Sequence, residues 1–253
     1  MYDRATRLQA LALHASGLSL SQVSRATGIS RAAIRSWTER IEPLPGMTAE
    51  CPVPRSRPLE SLPRADYSYL LGLYLGDGCI SHVSKGVYSL RISCADAWPG
   101  LIDACADAMS HTLPTSRVGR TQCPGCTSVC SYSKHWPCLF PQHGPGKKHT
   151  RPIALEPWQQ SVVDEHPWAL VRGLIHSDGS RTKNWAQRTV GGTTRRHDYT
   201  RYEFGNRSDD IRRIFTNTLT ALGVDWRQPS AWNISVARKA SVALMDEHVG
   251  PKY

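Results

Sequence analysis

The feature that most constrains the fold of this chain is an internal repeat. The segment YLLGLYLGDGCI at 69–80 and the segment LVRGLIHSDGSR at 170–181 align at an offset of 101 residues. The identical pairs include Gly72 and Gly173, Leu73 and Leu174, Asp77 and Asp178, and Gly78 and Gly179. Such a repeat predicts two copies of one supersecondary unit that pack against each other.

The stretches after each Asp-Gly pair also correspond in order. After the first pair come a hairpin-like stretch ending at 88–96, a helix-like stretch at 98–113 and two β-like pieces ending at 128–136. After the second come a longer hairpin ending at 201–210, a helix-like stretch at 211–223, two β-like pieces at 225–239 and a final helix. Each half is predicted as αββαββ, with a last helix clear only in the second, which places the chain in the α+β class.

Three segments follow from this pattern. Residues 1–40 are predicted to form a small all-α domain, and residues 41–66, with six prolines, an extended linker. Residues 67–253 form the repeat domain, with repeat one at 67–150 and repeat two at 167–253. Residues 137–152 are rich in Pro and Gly, which argues against a helix, and we interpret them as part of the connection between repeats.

Residues 19–40 have the pattern of a helix-turn-helix. The apolar positions that span two short helices are Val23, Ala26, Ile29, Ile34 and Trp37. Gly28 suits the turn, and Ser30 is a candidate N-cap for the second helix. Since the second helix of this motif enters the major groove with its N-terminal residues, we expect Arg31, Arg35 and Ser36 to contact DNA. The segment resembles the helix-turn-helix of transposase and resolvase proteins; the alternative is a helical bundle with no role in DNA binding.

The charge of the chain favours a polyanionic partner. The formal net charge is +10 and the pI is about 9.4, which is typical of nucleic-acid binding, although a basic surface that serves only solubility is the alternative. No apolar run reaches the roughly 18 residues of a membrane span, and residues 1–17 lack a signal-peptide core. We therefore expect a cytoplasmic, nucleoid-associated protein of prokaryotic or phage origin that binds double-stranded DNA.

Small residues in the repeated helices predict a close helix pair. Gly72 and Gly76 lie on one helix face, and Gly173 and Ser177 repeat that arrangement. Two helices that pack backbone to backbone here would end side by side, each with an aspartate. A single Asp-Gly pair would indicate only a turn. Two adjacent carboxylates need a cation, and their hard oxygen atoms suit Mg²⁺, which can support phosphodiester hydrolysis.

The segments GLYLGDG and RGLIHSDG resemble the paired signature of the LAGLIDADG homing endonucleases of the two-repeat, single-chain type, over about residues 67–249. The resemblance implies a pseudo-dimer interface between the signature helices, two curved sheets over DNA, and a functional monomer. It also implies that Asp77 and Asp178, with Gly76 and Ser177 beside them, hold two Mg²⁺ ions and that the protein cleaves both strands of a long target. Ser177 stands where Gly or Ala is usual, and His176 is more polar than the pattern expects.

Basic residues around these helices are further candidates. Lys134 and Lys239 end the fourth β-like piece of each repeat, where the family holds a basic residue that stabilises charge on the phosphate. The hairpin at 181–201 carries the arginines Arg188, Arg195, Arg196 and Arg201, which we expect to contact DNA backbone or groove edges. The alternatives are routine surface lysines and a solvated loop.

Four cysteines lie close together between 123 and 138. Cys123 and Cys126 have the spacing of a zinc knuckle, and Cys130 and Cys138 follow. We therefore consider a structural Zn²⁺ site, with an ordinary core thiol at Cys130 as the alternative.

The leading hypothesis is a site-specific, Mg²⁺-dependent DNA endonuclease, in which the helix-turn-helix adds affinity or specificity. The alternative is a non-cleaving transcriptional regulator that uses the same fold, and retention of Asp77 and Asp178 favours the enzyme. An RNA-processing maturase is a third hypothesis, disfavoured by the DNA-type helix-turn-helix.

Overall fold

The computed structural model describes Tyr2, residues 4–39 and residues 62–253, and only the backbone of Arg188, Val190 and Thr193. Most of the predicted Pro-rich linker lies outside these described residues. The chain divides into two compact units, Met1–Cys51 and Pro52–Tyr253.

The N-terminal unit contains three helices, α1 (Arg4–Ala15), α2 (Leu20–Thr27) and α3 (Arg31–Glu39). Ser19 caps α2 in a capping box with Gln22, and Gly28 ends it with a φ of 70°, which few residues other than glycine adopt readily. The backbone N–H of Ala33 donates to Ser30 Oγ at 3.2 Å, which makes Ser30 the cap of α3, as its position predicts. The buried core of this unit comprises Ala10, Val23, Ile29, Ile34 and Trp37, whereas Ala26, predicted to be apolar core, is exposed.

The second unit repeats one order of elements. The first half contains α4 (Arg64–Asp77), β1 (Gly78–Ser84), β2 (Val87–Ala95), α5 (Pro99–Thr112), β3 (Val118–Cys123), β4 (Cys126–Ser133) and the short α6 (Trp136–Leu139). A 3₁₀ turn (Lys148–Thr150) and α7 (Pro157–Glu165) follow. The second half contains α8 (Pro167–Asp178), β5 (Gly179–Val190), β6 (Thr193–Gly205), α9 (Asp209–Ala221), β7 (Asn233–Val236) and α10 (Lys239–His248). This arrangement confirms the predicted α+β class and its two related halves.

The two antiparallel sheets differ in one strand. The first has the order β1-β2-β4-β3, and the second has the order β5-β6-β7. The predicted third strand of the second half is reduced to an isolated bridge between Arg227 and Ser235, at the position that β3 occupies in the first sheet. Pro229 lies two residues after Arg227 and has no N–H to donate, which limits extension of a ladder here.

One hydrophobic core joins both halves of this unit. Helix α9 buries Ile211, Phe215 and Leu219, which recur at the spacing of one helix face, and its N-terminus is capped by Ser208. Strand β6 alternates, so that Tyr202 and Phe204 point into the same core. The two repeated helices, α4 and α8, are buried along most of their length within this core, as their near-continuous apolar sequence predicts.

Helices α4 and α8 cross at glycine. A Cβ atom built on Gly72 would lie 2.5 Å from the carbonyl oxygen of Leu170 and 2.8 Å from the Cα of Gly173. Only glycine allows such an approach without displacing backbone atoms. One turn later, a Cβ on Gly76 would overlap the side chain of Ser177. The predicted backbone-to-backbone packing of the repeated helices is therefore present, and it brings their C-terminal ends side by side.

Candidate functional site

Two carboxylates lie at the paired ends of α4 and α8. Asp77 and Asp178 are the last residues of these helices, and each is followed by a glycine that begins a strand. Asp178 Oδ2 lies 3.3 Å from the point that a Cβ on Gly76 would occupy. The arrangement follows from the helix packing, because the close contact at Gly72 and Gly173 continues at Gly76 and Ser177, directly before both helices end.

The environment of both aspartates favours their protonated forms. Burial raises the pKa of the Asp77 carboxyl, and the neighbouring charge of Asp178 raises it further. The Asp77 side chain is nevertheless exposed, which limits the size of this effect. Burial also raises the pKa of Asp178. Lys148 and Lys252 oppose these shifts at both carboxyls, since a nearby cation favours the ionised form.

Lys148 reaches the end of α4 from the segment between the repeats. Its Nζ donates to the carbonyl oxygen of Gly76 at 2.6 Å and also to that of Tyr74. The ammonium lies 5.1 Å from the centroid of the Tyr74 ring, a cation–π distance. Burial lowers the pKa of Lys148 to about 8, against the opposing effect of the two aspartates.

Lys252 reaches the end of α8 from the segment after α10. Its Nζ donates to the carbonyl oxygen of Ser177 at 3.2 Å. Burial lowers its pKa, while Asp77 and Asp178 act in the opposite direction. The two lysines thus bond the residues that directly precede Asp77 and Asp178. Lys252 was not singled out in the sequence, and Lys148 was considered only as a basic residue of the 137–152 connection near DNA. A Gly-Pro pair shortly before each lysine, at 144–145 and 250–251, is a signal that could have found them.

Asn206 fixes the orientation of one carboxylate. Its Nδ2 donates to Asp178 Oδ2 at 2.6 Å, and its Oδ1 accepts from the backbone N–H of Ser208 at 2.8 Å. The hydrogen bond to the ionised carboxylate opposes the rise in the pKa of Asp178. Sequence reasoning missed Asn206, since a polar residue between a strand and a helix is routine in a turn.

His176 lies in the helix interface rather than in the acidic site. It is 3% exposed, and its Nδ1 shares a 2.9 Å hydrogen bond with the Tyr69 hydroxyl of α4. Burial lowers the pKa of His176 to about 4, so the ring is neutral near pH 7. This polar residue in an apolar signature is therefore a link between α4 and α8.

An open cavity of about 930 Å³ lies beside Asp178. Its wall includes Asp178, Asn206 and Lys148 together with the basic residues Lys147, Arg151 and Arg207. A cavity that combines one carboxylate with several basic side chains suits a polyanion that approaches a bound cation.

Lys134 and Lys239, the basic residues expected from the sequence to lie near the acidic site, are both on the surface. Lys134 directly follows β4 and is exposed. Lys239 is not at a strand end, because β7 stops at Val236 and Lys239 is the first residue of α10. Neither is among the charges that shift the pKa of Asp77 or Asp178, a position that Lys148 and Lys252 hold.

The candidate DNA-contacting residues are on the surface of their units. Arg31, Arg35 and Ser36 are exposed on α3, which leaves this face open. On the long hairpin, Arg195 is exposed and its backbone pairs with that of Arg188, whose side chain is outside the described residues. Two further arginines of this hairpin already have partners: Arg196 pairs with Asp198 at 2.7 Å and Arg201 with Glu203 at 2.7 Å.

The predicted four-cysteine zinc site is not formed. Cys123 and Cys126 face each other at the β3–β4 turn, but Cys130 is four residues further along β4, about 13 Å in an extended strand. Ligands of one zinc ion lie within roughly 4 Å of each other. Cys130 is buried and Cys138 is exposed on α6. Within residues 4–39 and 62–253, no three His, Cys, Asp or Glu residues form a group that could hold a metal ion.

Comparison with known proteins gives matches to both parts of the chain. Residues 1–45 match the homeodomain-like domain family, which confirms the helix-turn-helix prediction. No curated protein matches the chain. No helix within the described residues is long and apolar enough to cross a membrane.

Several solved structures have a similar backbone fold at low sequence identity. A mesophilic variant of the homing endonuclease I-DmoI is 14% identical, with a TM-score of 0.46 over 74% of this chain and 96% of that one. The LAGLIDADG meganuclease I-AabMI bound to uncleaved DNA is 9% identical, with a TM-score of 0.46 over 72% and 83%. The N-terminal LAGLIDADG domain of DUF199/WhiA is 12% identical, with a TM-score of 0.45 over 74% and 83%.

Proposed function

We propose that this protein is a site-specific endonuclease that hydrolyses phosphodiester bonds of double-stranded DNA with a divalent metal ion. The observation that carries the proposal is the pair of carboxylates, Asp77 and Asp178, held at the ends of two helices whose crossing at Gly72 and Gly173 leaves little freedom. A fold that only needed a helix interface would have no use for two adjacent acidic groups whose ionised forms burial disfavours.

The donor atoms at this site fit a hard divalent ion. Asp77 and Asp178 supply carboxylate oxygens, and Gly76 and Ser177 supply backbone carbonyl oxygens directly before them. Oxygen-only donor sets of this kind are preferred by Mg²⁺. Burial raises the pKa of both carboxyls in spite of the two nearby lysines, and a divalent ion bound between them would favour their ionised forms. When bound, such an ion lowers the pKa of water and stabilises charge on a leaving oxygen.

The chain contributes orientation and charge around that ion. Asn206 holds the carboxylate of Asp178 in one orientation through its 2.6 Å hydrogen bond. Lys148, on the cavity wall, is positioned to balance negative charge on a phosphate that enters the cavity. In this proposal each of the two related halves acts on one strand of the duplex through its own aspartate, so that one chain would suffice for a double-strand cut.

DNA binding in this proposal uses two surfaces. The exposed N-terminal residues of α3, Arg31 and Arg35, read the major groove as the recognition helix of a helix-turn-helix. The hairpin of β5 and β6 supplies Arg195 for the DNA backbone. The net charge of +10 supports the electrostatic part of this affinity.

One observation favours a second function, a non-cleaving sequence-specific DNA-binding regulator. Lys148 and Lys252 already donate to the carbonyl oxygens of Gly76 and Ser177. An ammonium group neutralises carboxylates but activates no water. A protein that keeps these contacts permanently would bind DNA without cutting it.

The two functions are separated by mapping DNA ends. Purified full-length protein and Mg²⁺ are incubated with genomic DNA from the source organism, and new double-strand ends are located by sequencing. The nuclease proposal predicts discrete ends that are absent with the Asp77→Asn, Asp178→Asn double variant or with a chelator. A control with the same loss of charge, Asp107→Asn, Asp164→Asn, alters two exposed aspartates of α5 and α7 and retains the ends.

Retention of specific DNA fragments by both wild type and double variant, without new ends, would contradict the nuclease and support the regulator. If the protein produces no new ends and also retains no specific fragments, both proposed functions are contradicted.

A further inference from the structure

Lys148 and Lys252 hold equivalent positions in the two halves of the repeat. Lys148 lies 71 residues after Asp77, and Lys252 lies 74 residues after Asp178. Each comes from the segment that follows the last strand of its half, shortly after a Gly-Pro pair, and returns to the end of its own repeated helix. Two independent contacts that obey the internal symmetry of the chain indicate a feature that belongs to the site rather than a chance packing of one side chain.

The atoms that accept these contacts are specific. Both ammonium groups donate to carbonyl oxygens, those of Gly76 and Ser177. Among the described residues, neither lysine forms an ion pair within 4.0 Å of a carboxylate oxygen. Both positive charges lower the pKa of Asp77 and of Asp178, but neither ammonium group contacts a carboxylate oxygen of these residues. The lysines therefore occupy the carbonyl part of the donor set and leave the carboxylate part open.

A divalent ion that bound the carbonyl oxygen of Gly76 or Ser177 would lie close to the ammonium group that already donates to the same atom. The positive charges of the ammonium group and the divalent ion would repel each other strongly at such close range in a partly buried environment. A metal ion that binds a carboxylate together with the preceding carbonyl must displace the lysine of that half. The lysine lies on a flexible four-carbon stem, and this makes displacement without movement of the backbone feasible.

We propose that Lys148 and Lys252 are built-in counter-cations that hold the two half-sites in the metal-free protein and compete with the divalent ion for them. The inference rests on the proposed function, because it takes Asp77 and Asp178 as the place where the ion binds. It adds a regulatory property: metal affinity is set by two lysines, one for each half-site, and each released ammonium becomes free for the DNA phosphate that enters with the metal.

The test measures Mn²⁺ binding to the full-length protein. Electron paramagnetic resonance detects the free ion, and calorimetry gives the affinity independently. Lys148→Met and Lys252→Met each remove one ammonium group and retain much of its aliphatic stem. Each is expected to tighten Mn²⁺ binding by about tenfold or more, and the double variant by more than either. Lys85→Met, in the β1–β2 turn, removes an exposed lysine and leaves the affinity unchanged.

Thermal unfolding supplies a second readout in case a methionine variant folds poorly. Lys148→Gln and Lys252→Gln keep an N–H donor for the carbonyl and lose only the charge. In EDTA each glutamine variant is expected to unfold at a lower temperature than wild type, since the carboxylates lose a counter-cation. Saturating Mn²⁺ should raise its unfolding temperature by more than it raises that of wild type.

The outcomes separate this inference from the nuclease proposal. Equal Mn²⁺ affinity in wild type and all lysine variants, with cleavage by wild type, would overturn the inference and leave the nuclease intact. Binding of Mn²⁺ by the lysine variants alone, with no cleavage by wild type, would support the inference and point to the regulator. Absence of Mn²⁺ binding in every variant would overturn the inference. The nuclease proposal would then be tested by the mapping of DNA ends alone.

Discussion

The side chain of Ser177 fills the space that Gly76 leaves open where α4 and α8 end. A Cβ built on Gly76 would overlap both the Cβ and Oγ of Ser177, and the Ser177 hydroxyl donates to the carbonyl oxygens of Gly173 and Leu174 at 3.0 Å. The repeat is therefore asymmetric at this point, with a glycine on one helix and a small side chain on the other. The asymmetry determines which substitutions the interface accepts.

Substitution Gly76→Ala is expected to destabilise the protein by about 1–3 kcal/mol, the usual cost of overpacking. Substitution Ser177→Gly in the same chain removes the atoms that the new methyl group would meet and should recover much of the loss. The measurement is the free energy of unfolding in urea for both single variants and the double variant. Additive effects in this cycle, with no rescue, would contradict the packing described here.

Substitution Gly72→Ala should have a larger effect than Gly76→Ala. The new methyl group would lie 2.5 Å from the carbonyl oxygen of Leu170, and a backbone atom cannot rotate away as a side chain can. We expect a loss of stability of about 3 kcal/mol or more. Gly72 lies within α4, where alanine has the higher helix propensity, so a loss of stability measured by urea unfolding would report the steric overlap and not a backbone conformation that requires glycine.

The pKa of Asp178 should depend on Asn206. Removal of the amide donor in Asn206→Ala takes away an interaction that favours the ionised carboxylate, so the pKa of Asp178 should rise. Carboxyl carbon shifts followed by NMR through a pH titration measure it. Asn217→Ala, on the exposed face of α9, serves as the control and should leave the titration unchanged. An unchanged midpoint in Asn206→Ala would show that the hydrogen bond has no effect in solution.

The low pKa of the buried His176 ring predicts that the protein loses stability at acid pH. Its pKa is about 4 in the folded protein and about 6.5 in an unfolded chain, so the unfolded state binds the proton first as pH falls. The contribution of the neutral ring is fully present above pH 6.5 and is lost as the pH falls towards 4, by up to about 3 kcal/mol. The free energy of unfolding from pH 7 to pH 4 should fall less in His176→Gln, which does not titrate. Identical slopes would contradict the assignment.

DNA affinity should depend on the first two turns of α3. Arg31→Ala and Arg35→Ala are each expected to weaken specific binding by about 1–3 kcal/mol, or roughly 5- to 150-fold, if they contact bases, with a smaller salt dependence if they contact phosphate. Fluorescence anisotropy at several salt concentrations separates these cases. Arg213→Ala, on the exposed face of α9, is the charge-matched control. Equal affinity of all three variants would exclude α3 as a recognition helix.

Local patterns in the sequence were sufficient for several elements. Ser30 and Gly28 mark the ends of helices because their chemistry acts on neighbouring backbone groups. Gly72 and Gly173 predicted a close helix crossing because a small residue at the same position of two matched helices allows their backbones to approach. These signals depend on residues near each other in the chain, so the helix-turn-helix and the paired helices were predicted correctly.

Other features depend on contacts that no local pattern encodes. Lys148 lies in a segment without periodicity, and its contact with Gly76 joins residues 72 positions apart. The expected Lys239 was assigned to a strand end, but β7 is shorter than its apolar sequence suggests. The Cys123–Cys126 spacing is that of a hairpin turn as well as of a zinc knuckle, and only the position of Cys130 along β4 separates the two.

The most direct test of the central claim, that Asp77 and Asp178 together form a hydrolytic site, uses a mapped target labelled on each strand. Rates of strand cleavage are measured with wild type, Asp77→Asn, Asp178→Asn and the control Asp107→Asn under saturating Mg²⁺ and equal DNA occupancy. We predict that wild type and control cut both strands, while each site variant loses at least about 10²-fold in rate, the scale expected for loss of one group that stabilises charge in the transition state. Cleavage of both strands at the wild-type rate by either site variant would contradict the account.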